Sequence, residues 1–282
     1  MALKESRLKR NIKTALVYAV LLVITAVTVY PIVQIFGISL RPADQLFSTS
    51  LSIIPEGATL EAYSKVLFQK NFFIWLRNSS IVTLAVSLLG VSLASTAGYA
   101  FSRFRFRGKK AGMVAVLVTQ MFPATMLLLP LYVIMKKLAL VDTLFGLIIS
   151  YTATALPFCI WMMKGYYDTI PVDLEEAAMI DGTTPVGAFA RVTLPLAAPA
   201  LVITALFSFI TGWSEFIVAR VLINTSDLYT LPLGLESLSS TFQTEWANYA
   251  AGSILVSIPA VILFLFLSRY LISGLTLGGV KG

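Results

Sequence analysis

The chain has 282 residues, 57% of them hydrophobic and only 12% charged, which is more apolar surface than a soluble domain of this length buries. With no histidine and one cysteine, Cys159, imidazole-based metal sites and proton relays, intrachain disulfides and thiolate clusters are excluded. The net charge of +7 raises nucleic acid as a partner, but the basic residues flank apolar blocks and form no basic face with interleaved aromatics, so they read as topology signals and no nucleic-acid partner is expected.

The first block follows Lys4, Arg7, Lys9, Arg10 and Lys13 and covers roughly 14–38. It is longer than the apolar core of a signal peptide, and no small-x-small site precedes Arg41, so it reads as an uncleaved first span. The connection after it holds Pro55, Gly57 and the helical-looking ATLEAYSKVLF, which predicts a small cap outside the membrane. Five more stretches meet the requirement of about 20 mostly apolar residues for a spanning helix: roughly 79–101, 111–135, 143–166, 196–219 and 248–271. Pro123 and Pro130 fall in the third span, and Pro157, Pro199 and Pro259 in the fourth, fifth and sixth. Each proline frees a carbonyl that lipid cannot satisfy, so these helices are expected to face other helices or a watered cavity. The continuous character of the blocks argues against a soluble solenoid, whose apolar residues recur at helical spacing. The expected fold is an all-α polytopic membrane protein with six transmembrane helices in one domain, 1–282.

Lys and Arg set the orientation. With a cytoplasmic N-terminus, 14 of the 21 lie inside, five of them being Arg103, Arg105, Arg107, Lys109 and Lys110 in the first inner loop. Both termini are then cytoplasmic, and the RFRFRGKK run reads as an anchor to anionic lipid heads.

The inner loop at about 168–195 is acidic where bases are expected: Asp168, Asp173, Glu175, Glu176 and Asp181 face only Lys164 and Arg191. Pro171 suits a helix start, the carboxylates complement its positive end, and Gly182 suits the left-handed residue after its last turn. Thr184-Pro185 reads as an N-cap with proline at N1 of a second helix. Ala177 and Ala178 leave one face nearly flat, as a surface for close docking requires.

This segment, EAAMIDGTTPVGAFARVTLP, resembles the EAA loop of permease subunits of bacterial ABC importers. Glu176, Ala177, Ala178, Gly182, Val192, Leu194 and Pro195 stand at that family's spacing, and Thr183 replaces the alanine common in its carbohydrate branch. RNSSIVTLAVSLLGVSLASTAGYAFSRFRFRGKK, LPLYVIMKKLALVDTLFGLIISYTATALPFCIWMMKGYY and GWSEFIVA resemble the carbohydrate-uptake branch, and the tail GLTLGGVKG resembles the smaller maltose-type permease subunit. The resemblance implies the type I importer permease fold in the bacterial cytoplasmic membrane. It also implies a heterodimeric pore with a second, dissimilar permease, two copies of an ABC ATPase below, and an extracytoplasmic sugar-binding protein above. Membrane lipid is the remaining partner. Glu176, Ala177, Ala178, Asp181 and Gly182 would then seat in an ATPase cleft, and Gly278, Gly279 and Lys281 would reach between the ATPase subunits. The cargo implied is a di- or oligosaccharide of the maltose type; an ABC importer for another solute, such as an alginate-like sugar, is the near alternative. The resemblance implies no cofactor on this chain, with ATP and magnesium held by the partner ATPase.

Rival functions lack their chemistry. Gly108-Lys109 has Arg103 where a phosphate-binding loop needs glycine, and GWSEF lacks the closing glycine and the histidine that a Ser214 nucleophile would require. An ion-coupled secondary transporter needs buried ionisable residues, and only Glu215 is acidic within the spans. Trp213, Ser214 and Glu215 are candidates for lining the sugar path, with an aromatic belt and a snorkelling carboxylate as the alternative. Tyr151 and Thr152 are either cavity lining or interhelical packing. Tyr229, Leu231, Pro232 and Gly234 lie in a loop that resembles the segment reaching into the sugar cleft of the binding protein; the alternative there is a re-entrant cap.

Overall fold

The computed structural model describes residues 2–42, 53–239 and 245–277, with side chains over 10–42, 53–239 and 245–268. The described residues hold helices and connecting turns and no strand. They divide into two compact units, Met1–Lys70 with Ser237–Leu255, and Asn71–Glu236 with Val256–Gly282.

The first unit contains α1 (Ala2–Ser39), α2 (Glu61–Gln69) and the beginning of α13 (Trp246–Leu277). Over Arg10–Ser39, α1 is the most exposed of the four single helices of spanning length among the described residues: none of its 18-residue spanning window is buried, and Leu16, Leu22 and Val27 are each about two-thirds exposed. A helix apolar on all sides with no protein around it needs lipid or another chain. The expected cap helix is present as α2. Ala62 of α2 is buried with Ala247 and Ala251 of α13, Tyr63 packs beside them, and the Tyr63 hydroxyl lies 2.8 Å from Ser39 Oγ.

In the second unit α3 (Phe72–Arg103), α6 (Leu144–Tyr167) and α10 (Ala198–Ser214) pack against one another. Two apolar clusters fill their seams. Val82, Val86, Leu147, Tyr151 and Leu222 form one, and Ala94, Ala155, Cys159, Met163, Tyr167 and Ala200 the other. Small residues bring the helices close, as they do where lipid offers no competing hydrophobic drive. A Cβ on Gly98 would lie 2.8 Å from Met163 Cβ and 3.0 Å from the Lys164 nitrogen, and one on Gly212 would lie 3.0 Å from Thr83 Cα. Serine and threonine hydroxyls inside the spans bond back to carbonyls one turn earlier, as in Ser87 to Thr83 and Thr154 to Ser150.

Four helices are long and apolar enough to cross a membrane alone, Arg10–Ser39, Phe72–Arg103, Leu144–Tyr167 and Trp246–Ser268, and six stretches qualify if each of two bent pairs forms one span. The third expected span is one of those pairs: α4 (Lys109–Thr119) and α5 (Ala124–Lys137) meet at 103°. The break has a local cause. Pro123 offers no N–H and disfavours helix at Phe122, and Gln120 and Met121 close a tight turn onto Leu117 and Val118. The fifth expected span is also shorter than its apolar stretch, because α10 ends at Ser214 and α11 (Ile217–Leu222) begins anew after Glu215.

Candidate functional site

The loop between α6 and α10 folds as the sequence implies. α7 (Asp173–Ile180) carries Asp173, Glu175 and Glu176 in its first turn. Its end is a Schellman turn: the Thr183 N–H donates to the Ala178 carbonyl at 3.1 Å, the Gly182 N–H to Met179 at 3.1 Å, and Gly182 has φ +92°. Thr184 caps the next helix, α8 (Pro185–Ala188), by accepting from the Gly187 N–H at 3.1 Å, with Pro185 at the first helical position. A π-helical turn, Phe189–Thr193, and the short α9 (Leu194–Leu196) lead into α10, with a 78° bend between Pro185–Leu196 and Ala198–Ser214.

The two faces of α7 differ. Outward it shows Glu176, Ala177, Asp181 and Gly182, flanked by Leu174 and Met179, while Ala178 is half-buried. Ile180 is 86% and Val186 75% exposed. Inward it presents Glu175, whose side chain is 5% exposed. Glu175 Oε1 accepts from Arg103 Nε at 2.7 Å, and Oε2 accepts from the Tyr99 hydroxyl at 2.7 Å. The same guanidinium donates to the Ile170 carbonyl at 2.9 Å and to Ser102 Oγ at 3.3 Å. Burial disfavours the Glu175 charge, but the hydrogen bonds from Tyr99 and Arg103 outweigh it and hold the carboxyl below its ordinary range. Asp168 follows the same pattern: burial opposes its charge, and bonds from Lys164 and Ser102 lower its pKa nevertheless. The Tyr99 ring packs 4.4 Å from Phe189 and 5.9 Å from Tyr167. The loop is therefore joined to α3, α6 and the π-helical turn at once.

Reading the RFRFRGKK run as a lipid anchor thus misses Arg103, which is an internal ligand of the acidic loop, and Lys109, whose ammonium caps the end of α3 by donating to the Ser102 and Phe104 carbonyls. Two signals point to this: Tyr99 and Arg103 are four apart, hence on one helical face, and the loop carries more carboxylates than its own bases can neutralise.

The remaining candidates sit mostly inside the chain. Trp213 is 6% exposed, stacks on Phe209 at 5.4 Å and donates from Nε1 to the Val256 carbonyl at 3.0 Å, beside the carbonyl that Pro259 leaves without its helical N–H. Ser214 is exposed, with its hydroxyl bonded to the Ile210 carbonyl at 2.7 Å. Glu215 neither snorkels nor stands free: its Oε1 accepts from the Val218 N–H at 2.9 Å, inside the first turn of α11. Tyr151 is 1% and Thr152 5% exposed, which fits packing within the bundle. Within the 226–236 loop, Leu231 is fully buried at the start of α12 (Leu231–Glu236), its N–H donating to Ser79 Oγ at 2.7 Å. A Cβ on Gly234 would lie 2.1 Å from the Trp75 ring. Neither residue faces outward, contrary to their expected part in a partner contact; the two that keep surface are Tyr229 and Pro232. Asn78 Nδ2 holds the loop through the Asp227 and Tyr229 carbonyls at 2.8 and 3.0 Å. Gly278, Gly279 and Lys281 lie outside the described residues. No group of three or more histidine, cysteine, aspartate or glutamate side chains suited to a metal occurs among the described residues.

A family model described as the inner membrane component of binding-protein-dependent transport systems matches residues 86–276, a range that contains this loop, α6, α10 and the second half of α3. The chain belongs to that family. It is 35% identical to the galactooligosaccharides transport system permease protein GanQ of Bacillus subtilis, over 99% of this chain and 100% of that one. It is 37% identical to the maltose/maltodextrin transport system permease protein MalG of Vibrio vulnificus, over 90% of this chain and 91% of that one. Among solved structures, a chain of a bacterial ABC transporter involved in the import of the acidic polysaccharide alginate superposes with a TM-score of 0.78 at 25% identity, covering 91% of this chain and 96% of that one. This inner membrane component is accordingly a multi-pass membrane protein of the ABC importer permease fold.

Proposed function

We propose that this chain is one of two dissimilar transmembrane halves of an ATP-driven importer for a di- or oligosaccharide, and that α7 seats in a cleft of its ATPase. The observation that carries this reading is the two-sided character of α7. A short helix whose inner carboxylate is tied to α3 and whose outer face is small, apolar and acidic is built to be pressed by a partner while transmitting load. Small residues at Ala177 and Ala178 permit close approach, Ile180 and Val186 supply apolar area, and Glu176 offers a carboxylate to a basic group. The named cargoes of the relatives, galactooligosaccharides and maltose or maltodextrin among them, favour an oligosaccharide, with malto-oligosaccharides the first to test. An extracytoplasmic binding protein would deliver the sugar, two ATPase copies would bind ATP and magnesium, and both termini of this chain would be cytoplasmic.

The test is reconstitution. The purified chain alone should hydrolyse no ATP; together with its ATPase, partner permease and binding protein in proteoliposomes it should support hydrolysis that rises with the transported sugar. Ala178→Arg and Glu176→Lys should leave the chain in the membrane at its usual abundance yet release the ATPase or uncouple it. Normal sugar uptake with the ATPase still bound in both variants would overturn the docking role of α7, and hydrolysis by the isolated chain would overturn the division of labour.

A further inference from the structure

The docking reading accounts for the outer face of α7 but not for the buried ion pair behind it, nor for the aromatic ring and the second bonds that surround that pair. Each oxygen of the Glu175 carboxylate accepts from a donor on one helix, Tyr99 and Arg103, both at the end of α3. The guanidinium continues from Glu175 to the Ile170 carbonyl and so fastens the segment between α6 and α7 as well. Both charged side chains are largely removed from solvent, at 9% and 5% exposure, where an ion pair is short-ranged, directional and little screened. The chain connects α7 only to α6 and α10; the pair adds a third attachment, to a helix more than 60 residues away in sequence.

We infer that Tyr99, Arg103 and Glu175 are positioning residues that make α7 and the end of α3 one mechanical body, so that displacement of the docking helix is delivered directly to α3. This inference rests on the docking role of α7. The packing supports α3 as the receiver. It is the helix that meets both α6 and α10 at backbone distance, through Gly98 against Met163 and Lys164 and through Thr83 against Gly212. A push on α6 alone would have to cross side-chain interfaces to reach α10, whereas a push on α3 enters both at once. The shape of the contact also fits motion better than simple anchorage. Arg103 uses Nε toward Glu175 and Nη2 toward Ile170, so the planar fork resists rotation of α7 about its own axis, which a lysine ammonium would not.

The experiment uses the full complex in proteoliposomes and reads three quantities: ATPase retained, ATP hydrolysed, and sugar moved per ATP. Arg103→Met and Glu175→Gln should retain the ATPase and hydrolyse ATP near the unmutated rate while sugar moved per ATP falls about tenfold, within the range of measured coupling energies. Arg103→Lys should restore only part of the ratio, and the exchanged pair Arg103→Glu with Glu175→Arg should recover more than either single reversal. Tyr99→Phe keeps the ring and removes one donor; it should assemble normally and lower the ratio by a smaller factor, and it decides the matter if the Arg103 variants fail to accumulate. An unchanged ratio in Tyr99→Phe and Glu175→Gln at equal ATPase content overturns the inference. So does loss of the ATPase in proportion to loss of transport, because the pair would then hold up the docking surface without passing motion on. An Ala178→Arg control separates the two ideas: if that variant keeps its ATPase and full transport, the docking role has failed and the inference falls with it, whereas a released ATPase there with an unchanged ratio in the clamp variants sinks the clamp alone.

Discussion

Asp142 shows how much one side chain does in a connection that looks featureless. Its φ is +60°, in the left-handed region that aspartate and asparagine tolerate better than most residues. Its carboxylate accepts from the Asn224 and Thr225 N–H groups at 2.9 and 3.0 Å and from the Thr225 hydroxyl, and its own N–H donates to the Leu222 carbonyl at 2.8 Å. One residue between α5 and α6 thereby fixes the end of α11. Hydrogen bonds from Thr225, by hydroxyl and backbone, and from the Asn224 backbone lower its pKa. The depressed value gives a definite sign: the stabilisation is fully present above the ordinary aspartate range, about 3.9, and is lost as pH falls through the lower folded-state pKa. Thermal unfolding in detergent should therefore show the unmutated chain losing its advantage over Asp142→Asn only on acidification into that range. Asp142→Ala should be destabilised at neutral pH by about 1–2 kcal/mol, having lost both the acceptors and the tolerance of positive φ. Equal melting temperatures for Asp142→Ala and the unmutated chain at neutral pH would show that the connection is held by other means.

Among elements, the close crossings of α3 with α6 and α10 set a graded expectation. A Cβ on Gly98 meets the Lys164 backbone nitrogen at 3.0 Å and Met163 Cβ at 2.8 Å, atoms that move only if the helix moves. A Cβ on Gly90 comes nearest to Ser208 Oγ, at 2.4 Å, a hydroxyl that can rotate away, with Ser208 Cβ behind it at 3.1 Å. Gly98→Ala should then cost about 1–3 kcal/mol by overpacking and Gly90→Ala less, measured as melting temperature and membrane abundance; the reverse order would mean that α3 and α6 separate more easily than their packing implies. The same helices show what was legible in the sequence. α1, α3, α6 and α13 follow directly from apolar length, and the cap helix and the α7 turn from capping chemistry at Gly182, Thr184 and Pro185. The 103° break at 120–123 was not legible, because an apolar run of span length hides where its helix turns; Pro123 marks a possible kink and says nothing of its size. The burial of Leu231 and Gly234 was equally hidden, since it depends on Ser79 and Trp75, more than 150 residues away. In the docking loop, pattern gave Glu176 its place but was silent on Glu175, whose partners lie on another helix.

At the scale of the molecule, the proposed orientation makes its own prediction. A reporter active only outside the cytoplasm should stay silent when fused after Lys110 or Gly282 and be active after Ser50 or Ser239; activity at Gly282 would reverse the proposed placement of the 168–195 loop beside the ATPase. Beyond orientation, α3 is pinned near both of its ends. Asn78 and Ser79 bind the 227–231 loop at one end, and Tyr99 and Arg103 bind Glu175 at the other. The 25 positions from Asn78 to Arg103 span about 38 Å of helix, and each residue turns it by about 100°. α3 is thus a shaft keyed at both ends, whose angular phase is set jointly by two loops far apart in sequence. One added residue near Leu88 would leave the apolar character of the span and both binding sequences intact, yet it would turn one key out of its slot, so whatever twist the 227–231 loop imposes would no longer be read at Glu175.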